Sequence, residues 1–600
     1  MQATTTRRTG SHKADPITLG LIRNYLSSVA DEMANTVIRT AYSTIVRDCM
    51  DFSTALCDKN GQTVAQGVTI PVHLGSVPTA LGHTIKRFEG NIHPGDVFIM
   101  NDPFQGGIHI PDIFVFKPVF HENRLMGYST AVSHHLDLGG RVPGSAACDN
   151  TEIFHDGLRI PPLKLYDRGV PSEAIFQLLE KNIRVPVQTL GDLRSNLSAL
   201  RTGEKGLLSL AERHGVDDLE MYFAELLDYT EAMVRAEIRS WPDGEYTFTD
   251  YLDDDGVDAG EIAIKVKMTV QDDCLTVDFT GTSPQVQGGI NSPYAFTISC
   301  CGYAVRSIMQ ADIPNTSGLF RPIRIIAPAG TILNPVMPAA SGMRGVVGFR
   351  LADALFGALA KIVPHKIPAA GEGGNSLIII GGYDRERKPF IMFDLIAGTW
   401  GARPDKDGID GLTNPGSVIS NIPVELMELD YPVRVEQYAL TKDTGGAGKY
   451  RGGLAIARDW RYVGDGPANL TIRSDRREHT PYGLYGGHNG APSWNIVNPG
   501  AEEERTLRTM VTDTLQPGDV IRHIQPGAGG WGEPLERNIE SVEQDVRNDK
   551  VSIAKAEELY GVVIDDEKLT VDRERTERER SARRSKAGQA QRSANSGACR

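Results

Sequence analysis

The stretch Asn101–Gly144, NDPFQGGIHIPDIFVFKPVFHENRLMGYSTAVSHHLDLGGRVPG, combines two apolar runs with a dense set of histidines and aspartates. The apolar runs Ile113–Phe116 and Leu125–Val132 are separated by the short polar segment Glu122–Arg124, which predicts two strands joined as a hairpin. The flanking glycines permit close backbone approach beside each polar group. We therefore interpret the rest of the chain as a scaffold organised around this hairpin.

Candidate metal ligands lie where the two predicted strands meet at one end of the hairpin. His109 and Asp112 precede the first strand, and His134 and His135 follow the second. Neutral imidazole and carboxylate suit zinc, manganese or iron, and three protein ligands leave positions open for water or substrate. The spacing predicts an open catalytic site of His109, Asp112 and either His134 or His135. The alternative is a polar strand boundary without a metal, since an HxxD pattern also arises by chance.

Two further polar residues stand at the ends of predicted elements. Asp51 precedes the alternating strand Phe52–Cys57, where a carboxylate either supports a turn or takes part in catalysis. His73 precedes a predicted helix at Val77–Phe88 and is either a satisfied polar group or a substrate contact that also orients a ligating imidazole.

Several ordered motifs carry a family resemblance. The segments RDCMDFSTALCDKNGQTVAQGVTIPVHLGS, PGDVFIMNDPFQGGIHIPDIFVFKPVF, SHHLDLGGRVPGS and TEIFHDGLRIPPLKLY resemble signatures of the hydantoinase B family. The downstream segments GTSPQVQGGIN, GGAGKYRGG, HTPYGLYGGHNGAP and QPGAGGWGEPLER are similar to it as well, so the resemblance covers about residues 16–560. That family includes subunits of ATP-dependent hydantoinases and lactamases, the second half of 5-oxoprolinase, and the alpha-type subunits of acetone and acetophenone carboxylases.

The resemblance implies roles for individual residues. It implies a ligand set of the type His, Asp and His, which falls on His109, Asp112 and His134 of this sequence. In the mechanism that we expect, His135 or Asp137 contacts the ligating histidine and adjusts its properties as a metal ligand.

Asp51 lies in the first of the quoted segments, where the resemblance is strong. This position implies that Asp51 is a general base or orients the attacking water.

Two glycine-rich segments imitate nucleotide-binding motifs. The segment Gly445–Tyr450 resembles a P-loop, but Asp443 stands where the first glycine belongs and Tyr450 where the magnesium-holding Ser or Thr belongs. The segment Gly527–Gly532 matches GxGxxG, but Pro534 and a charged helix follow instead of a completed βαβ unit. We interpret both as tight turns and expect no ATP site in this chain.

We expect a metal site but no ATP site in this chain. Since the family couples its reactions to ATP cleavage, the resemblance implies a partner subunit that binds ATP. We expect a hydantoinase A type subunit that cleaves ATP with Mg²⁺ and phosphorylates a hydantoin, lactam or 5-oxoproline type substrate. The chain itself would then be the metal-dependent subunit that hydrolyses the activated cyclic amide. The alternatives are a subunit of an ATP-dependent ketone carboxylase of the acetone or acetophenone type, and a non-catalytic assembly subunit.

Composition narrows the class of protein. The 600 residues have a formal net charge of −14, which disfavours nucleic acid because phosphate binding needs a basic surface. The seven cysteines show no CxxC spacing, so a reducing compartment is the simple interpretation. The N-terminal residues lack the apolar core of a signal peptide, and no stretch has the roughly 18 apolar residues of a membrane helix. We therefore expect a cytoplasmic chain without a membrane anchor.

Hydrophobic periodicity predicts a large α+β protein with several regions, in which strands and helices of mixed order surround the hairpin. It predicts an amphipathic helix over Ile17–Tyr42 with Leu21 on its apolar stripe, an antiparallel meander over Glu245–Gly281 and a helix over Arg350–Ile362. The predicted regions are 1–15 (disordered tail), 16–170 (metal-site domain), 171–241 (helical segment), 242–365 (α+β region), 366–535 (strand-rich and glycine-rich region), 536–570 (C-terminal helix) and 571–600 (charged, disordered tail).

Overall fold

The computed structural model describes residues 14–73, 75–373, 376–414 and 416–597. Within these ranges the chain forms twelve α-helices and five β-sheets. Helices and mainly antiparallel sheets alternate along the chain, so the predicted α+β class is confirmed. None of the helices in the described ranges is both long and apolar enough to cross a membrane.

The first sheet is built around the predicted hairpin. Its strands in chain order are β1 (Phe52–Asp58), β2 (Thr63–Gln66), β3 (Val97–Met100), β4 (Asp112–His121), β5 (Arg124–His134), β6 (Leu163–Asp167) and β7 (Val170–Pro171). The spatial order β2-β1-β5-β4-β3-β6-β7 places the β4–β5 hairpin at the centre. Glu122 and Asn123 form its two-residue turn with φ of 48° and 66°, as a type I′ turn requires.

Helices pack against this sheet. The helices of this half are α1 (Pro16–Thr40), α2 (Thr44–Arg47), α3 (Ser76–Arg87), α4 (Glu173–Asn182), α5 (Pro186–His214) and α6 (Val216–Arg239). The Thr54 hydroxyl of β1 donates to the Ala30 carbonyl of α1 at 2.9 Å. α1 confirms the predicted amphipathic helix, except that Leu21, expected on its apolar stripe, is 64% exposed. The helical segment predicted for 171–241 is confirmed by α4 to α6.

A second sheet and two buried helices follow. The strands are β8 (Gly244–Asp254), β9 (Ala259–Gln271), β10 (Cys274–Asp278) and β11 (Ile323–Ile326), and the helices are α7 (Tyr294–Ser307) and α8 (Gly345–Leu359). The predicted antiparallel meander is confirmed for β8 to β10, and β11 adds a parallel strand beside β10. Every residue of α8 is buried, including the charged Arg350 and Asp353, so no side of this largely apolar helix faces solvent.

The strand-rich region contains two more sheets and one helix. Its elements are α9 (Val424–Asp430), β12 (Leu377–Tyr383), β13 (Pro389–Leu395), β14 (Val433–Leu440), β15 (Ile456–Tyr462), β16 (Ala468–Arg473), β17 (Trp494–Val497), β18 (Arg505–Leu507), β19 (Met510–Leu515) and β20 (Val520–Ile524). The sheet order is β13-β12-β16-β19 in one and β14-β15-β20-β17-β18 in the other. The first of these packs near the central hairpin, where the Phe393 ring lies 4.9 Å from the ring of His134.

The glycine-rich segments have a packing role. We expected tight turns, but the segments pack backbone against backbone: the Gly446 amide donates to the Ala528 carbonyl at 2.8 Å, and the Gly530 amide to the His488 carbonyl at 2.9 Å. A side chain at Gly530 would overlap the backbone of Ala447. Close chain approach therefore accounts for glycine here. The absence of an ATP site stays a prediction.

The C-terminal region differs from the prediction in two ways. One helix was expected over 536–570, but the structure has α10 (Ile539–Arg547) and α11 (Ile553–Tyr560), followed by the short pair β21 (Ile564–Asp565) and β22 (Thr570–Val571). Disorder was expected over 571–600, but α12 (Arg573–Gly597) forms there.

The start of α12 is anchored to the fold, which explains the error. The Thr576 hydroxyl accepts from the Val563 amide at 3.0 Å, and the Arg580 guanidinium donates to the Tyr560 carbonyl at 2.9 Å. A low apolar content does not reveal such polar anchoring. Most of the predicted N-terminal tail, residues 1–13, lies outside the described residues.

Replacing Gly530 by alanine should destabilise the protein by about 1–3 kcal/mol, because a Cβ cannot fit without moving backbone. Gly466→Ala is the matched control, since nothing lies within 4 Å of a Cβ placed there. Urea unfolding of both variants measures the difference. Equal midpoints for the two variants would show that the glycine-rich packing is not sterically required.

Candidate metal centre

The register of the central hairpin brings three predicted ligands together. Asp112 and His134 are directly opposed across β4 and β5. His109 lies just before β4, and its carbonyl accepts from the Asp112 amide at 3.2 Å. One potential ligand atom from each residue lies within 4.8 Å of the other two, and all three residues are buried.

Burial determines the charge of these groups. Burial, reinforced by the charge of Arg344, lowers the pKa of His109, and burial lowers the pKa of His134 well below its ordinary value. Both imidazoles are therefore neutral at pH 7. Burial alone would raise the pKa of Asp112, but His109 and Arg344 hold it well below its usual range. Arg344 Nη2 donates to Asp112 Oδ2 at 2.5 Å, so the carboxylate is ionised.

Two neutral imidazoles and one carboxylate are a suitable donor set for a divalent transition metal. Asp112 Oδ1 and His134 Nδ1 have no hydrogen-bond partner among the described residues, although both atoms are buried. Buried polar atoms of this kind need an explanation, and a bound ion is one. His109 Nδ1 lies 3.3 Å from the Gly342 carbonyl, a contact that orients the ring and leaves Nε2 towards Asp112. The residues present therefore fit a metal ion.

A cavity of about 50 Å³ lies beside the three side chains. Its polar lining consists of Asp51, His73, His109, His134, Arg344, Ser417 and Arg473. Since roughly 10–15 Å³ suffices for one water molecule, the cavity has room for several. The open coordination positions predicted from three ligands thus have space for water or a small substrate group.

Asp51 lines this cavity at the start of β1. Its carbonyl accepts from the His134 amide at 3.0 Å, which ties it to the end of the hairpin. Burial, and then the nearby charge of Asp112, raises the pKa of Asp51 to about 7. A carboxyl group with such a pKa can both accept and return a proton near neutral pH. The catalytic role of Asp51 stays a prediction.

His73 also lines the cavity, at the end of a short 3₁₀ turn. Its Nδ1 lies 2.8 Å from the Ser53 hydroxyl, which fixes the orientation of the ring. Burial lowers the pKa of His73 to about 4, so the ring is neutral. Both alternatives for His73, a satisfied polar group and a substrate contact, stay predictions.

The other two predicted residues lie outside the group of three. The His135 amide donates to the Pro111 carbonyl at 2.9 Å, and burial lowers the pKa of its ring to about 4. The Asp137 carboxylate accepts from the Arg184 guanidinium at 2.8 Å and from the amides of Gly139 and Gly144 at 3.2 Å. These bonds shape the loop after β5. A tuning role of either residue stays a prediction.

Sequence reasoning missed two arginines of the site. Arg344 precedes α8 and Arg473 ends β16, so both come from parts of the chain far from the hairpin. We predicted a helix beginning only at Arg350, whereas α8 begins at Gly345 and places Arg344 at its N-terminus. The segment SGMRG, which contains Arg344 and Gly345, could have indicated a functional arginine. Its distance along the chain from the histidines gives no reason to expect that they meet.

Fold and site together define a multi-domain α+β protein with a buried His–Asp–His group beside a cavity. Residues 15–534 match the family described as Hydantoinase B/oxoprolinase. The chain is 34% identical to the putative B subunit of a D-/L-hydantoinase from Pseudomonas sp. (strain NS671), covering 94% of this chain and 98% of that protein. It is also 34% identical to the beta subunit of caprolactamase from Pseudomonas jessenii, covering 92% and 96% of the two chains. The chain belongs to the hydantoinase B/oxoprolinase family, as the motifs predicted.

Two solved structures share the fold. The crystal structure of ATP-dependent caprolactamase from Pseudomonas jessenii superposes with a TM-score of 0.89 at 32% identity, covering 95% of this chain and 100% of that chain. Acetone carboxylase, in its nucleotide-free structure, has the same TM-score of 0.89 at 20% identity, with coverages of 96% and 83%. The second likeness shows the shared fold alone.

The raised pKa of Asp51 predicts a pH dependence of stability in metal-free protein. An unfolded aspartate titrates near about 3.9, whereas in the folded protein the pKa of Asp51 is about 7. The folded state therefore holds a proton that the unfolded chain releases, and stability falls as pH rises between these values. Urea unfolding with a chelator, at pH 5 and pH 8, should show a smaller fall for Asp51→Asn than for the wild type. Equal falls would contradict the assigned pKa.

Proposed function

We propose that this chain is the metal-dependent subunit of an ATP-dependent cyclic amide hydrolase, acting on an intermediate that a partner subunit has phosphorylated. The proposal depends on one observation: His109, Asp112 and His134 form a buried group, and its two histidines line one cavity together with Asp51. The names of the relatives support it, because the hydantoinase and the caprolactamase to which they belong are both named for cyclic amides.

The metal would be zinc, manganese or iron, held by His109, Asp112 and His134. When bound, such an ion supplies Lewis acidity, which lowers the pKa of a water molecule towards neutrality. Arg344 keeps Asp112 ionised through its 2.5 Å contact, so that the carboxylate is always available as a ligand. The burial of both histidines keeps them neutral, which is the state in which imidazole binds metal.

Asp51 provides the proton transfers in this proposal. Its carboxylate accepts a proton from the water that attacks the activated ring carbon, so that the water oxygen bonds to that carbon. Protonated Asp51 returns this proton to the ring nitrogen. When the ring C–N bond breaks, the hydroxyl now on the carbon becomes a carbonyl and its proton passes to the departing nitrogen. An amine and an acyl phosphate remain, and a second water hydrolyses the acyl phosphate to a carboxylic acid and phosphate. His73 is oriented by its hydrogen bond with Ser53 and lines the cavity, where it can donate a hydrogen bond to the substrate or accept one from it.

A partner subunit must supply the phosphorylated substrate. Both relatives are named as subunits, which supports a complex, and the caprolactamase structure is described as ATP-dependent. We propose that the partner is a hydantoinase A type subunit that cleaves ATP with Mg²⁺. The glycine-rich segments of this chain are occupied by backbone packing, which agrees with an ATP site elsewhere.

The deciding experiment is co-expression of the chain with such a partner, followed by assay of ring opening. A panel of caprolactam, hydantoin and 5-oxoproline should give ATP-dependent ring-opened product with at least one compound. The fold shared with acetone carboxylase makes ketone carboxylation the second candidate. Product that forms from acetone only when bicarbonate is present would favour carboxylation and contradict hydrolysis. ATP-independent association without any product would favour an assembly role.

Metal content tests the ligand assignment directly. Purified protein should contain about one transition metal ion per chain, and His109→Ala or Asp112→Ala should lower this to under about one tenth, because two ligands hold an ion poorly. His83→Ala, an exposed histidine on α3, is the matched control and should keep full metal content. Elemental analysis of folded protein makes the measurement. Retention of metal by His109→Ala would refute the assignment.

Asp51→Asn should stop ring opening by this chain without stopping ATP cleavage by the partner. Ring opening should fall by about 10² to 10⁴-fold, because an amide cannot accept the proton, while ATP cleavage by the partner and metal content stay near normal. Asp566→Asn, at an exposed position, should leave both activities unchanged. Parallel assays of ATP cleavage and product decide the matter. Full coupled turnover at a lowered melting temperature would reduce Asp51 to a structural residue.

A further inference from the structure

Two arginines line the cavity together with the ligand group. Arg344 and Arg473 both line the cavity and are each only 7% exposed. They are held close together, since a Cβ at Gly345 would lie 2.8 Å from Arg473 Nη1. Burying two guanidinium groups side by side is costly unless anionic groups accompany them.

Arg344 still has an unused donor. Its Nη2 binds Asp112, and its guanidinium lies 3.8 Å from the centroid of the Phe296 ring. Its Nε is buried and has no hydrogen-bond partner among the described residues. Guanidinium carries five donors in a planar fork that matches the oxygens of phosphate and carboxylate. A buried donor left over beside a cavity indicates that an acceptor occupies the cavity at some stage of the reaction.

The N-terminus of α8 lies at the same cavity. This helix has 15 residues and begins at Gly345, and no side chain in the described part of the chain caps its first turn with a hydrogen bond. Gly345 itself lines the cavity. The free amides at the start of a helix and the helix dipole both favour a bound anion. This feature agrees with the unpartnered Arg344 donor but is a separate observation.

The charges around the cavity leave a positive excess once a metal is bound. A divalent ion and the two arginines contribute four positive charges, while Asp112 and Glu372, whose charge acts on Arg473, contribute two negative charges. Asp51 adds a third negative charge when it is ionised. The excess is therefore one or two positive charges, which an anion in the cavity would balance.

We propose that Arg344, Arg473 and the N-terminus of α8 form a subsite for a phosphate group, which holds the phosphoryl group of the activated substrate beside the metal ligands. This inference rests on the proposed function, since the phosphorylated substrate is the source of the group. The subsite orients the phosphorylated carbon towards Asp51 and the His–Asp–His group. A subsite of this kind favours binding of the activated substrate over the free amide.

Titration of the zinc-loaded chain with inorganic phosphate tests this subsite without partner, ATP or turnover. The wild type should bind phosphate more tightly than acetate. Arg344→Lys and Arg473→Lys keep the charge but lose the fork, and each should weaken phosphate binding by roughly 10- to 100-fold when variant and wild type are compared at equal measured zinc content. Arg324→Gln, an exposed arginine on β11, is the matched control and should bind phosphate like the wild type.

Two outcomes of the phosphate titration would overturn the proposed phosphate subsite. Phosphate affinity unchanged in both lysine variants would mean that phosphate contacts the metal alone. Acetate bound as tightly as phosphate, with the same dependence on the arginines, would assign the subsite to a carboxylate. Either failure would leave hydrolysis of cyclic amides untouched. In contrast, intact phosphate binding in a complex that opens no ring would count against the proposed function only.

Discussion

The pairing of Asp112 with His134 across the β4–β5 hairpin is the constraint on which the site depends. Side chains alternate between the two faces of a strand, so a slip of one residue would turn one ligand away from the other. The two-residue turn at Glu122 and Asn123 sets this register, because both residues adopt the positive φ of a type I′ turn. β1 and β3 then flank the hairpin on both sides and prevent it from sliding.

Buried charge connects this hairpin to the second half of the chain. The Asp112 carboxylate is nearly inaccessible and requires a counter-charge, which Arg344 supplies from 232 residues further along. The same solution recurs deeper in the structure, where Arg476 Nη2 contacts Asp353 at 2.5 Å and Asp250 at 3.2 Å. Such pairs add little net stability, but each is satisfied by only one arrangement of the segments that carry it. They therefore specify how the sheets meet around the cavity.

Much of the fold could be predicted from local pattern. The hairpin, α1, the helical segment and the β8 to β10 meander follow from periodicity that each segment carries by itself. The errors lie where order depends on distant contacts. The expected disorder at 571–600 overlooked α12, because its anchoring uses the Tyr560 carbonyl and the Thr576 hydroxyl and not an apolar face. The prediction of tight turns at the glycine-rich segments did not foresee packing between chain segments. In sequence, a glycine required by a neighbouring backbone cannot be told from a glycine required by a turn.

By itself the sequence determined the family, the hairpin, and the residue types His109, Asp112 and His134 at the strand ends, because strand alternation and motif order are local properties. It also located Asp51 and His73. Only the tertiary structure decided that His134, and not His135, faces Asp112, since adjacent residues of a pleated strand point to opposite sides. Only the tertiary structure revealed Arg344 and Arg473 in the cavity, because the approach of segments so far apart results from the packing of whole sheets and helices.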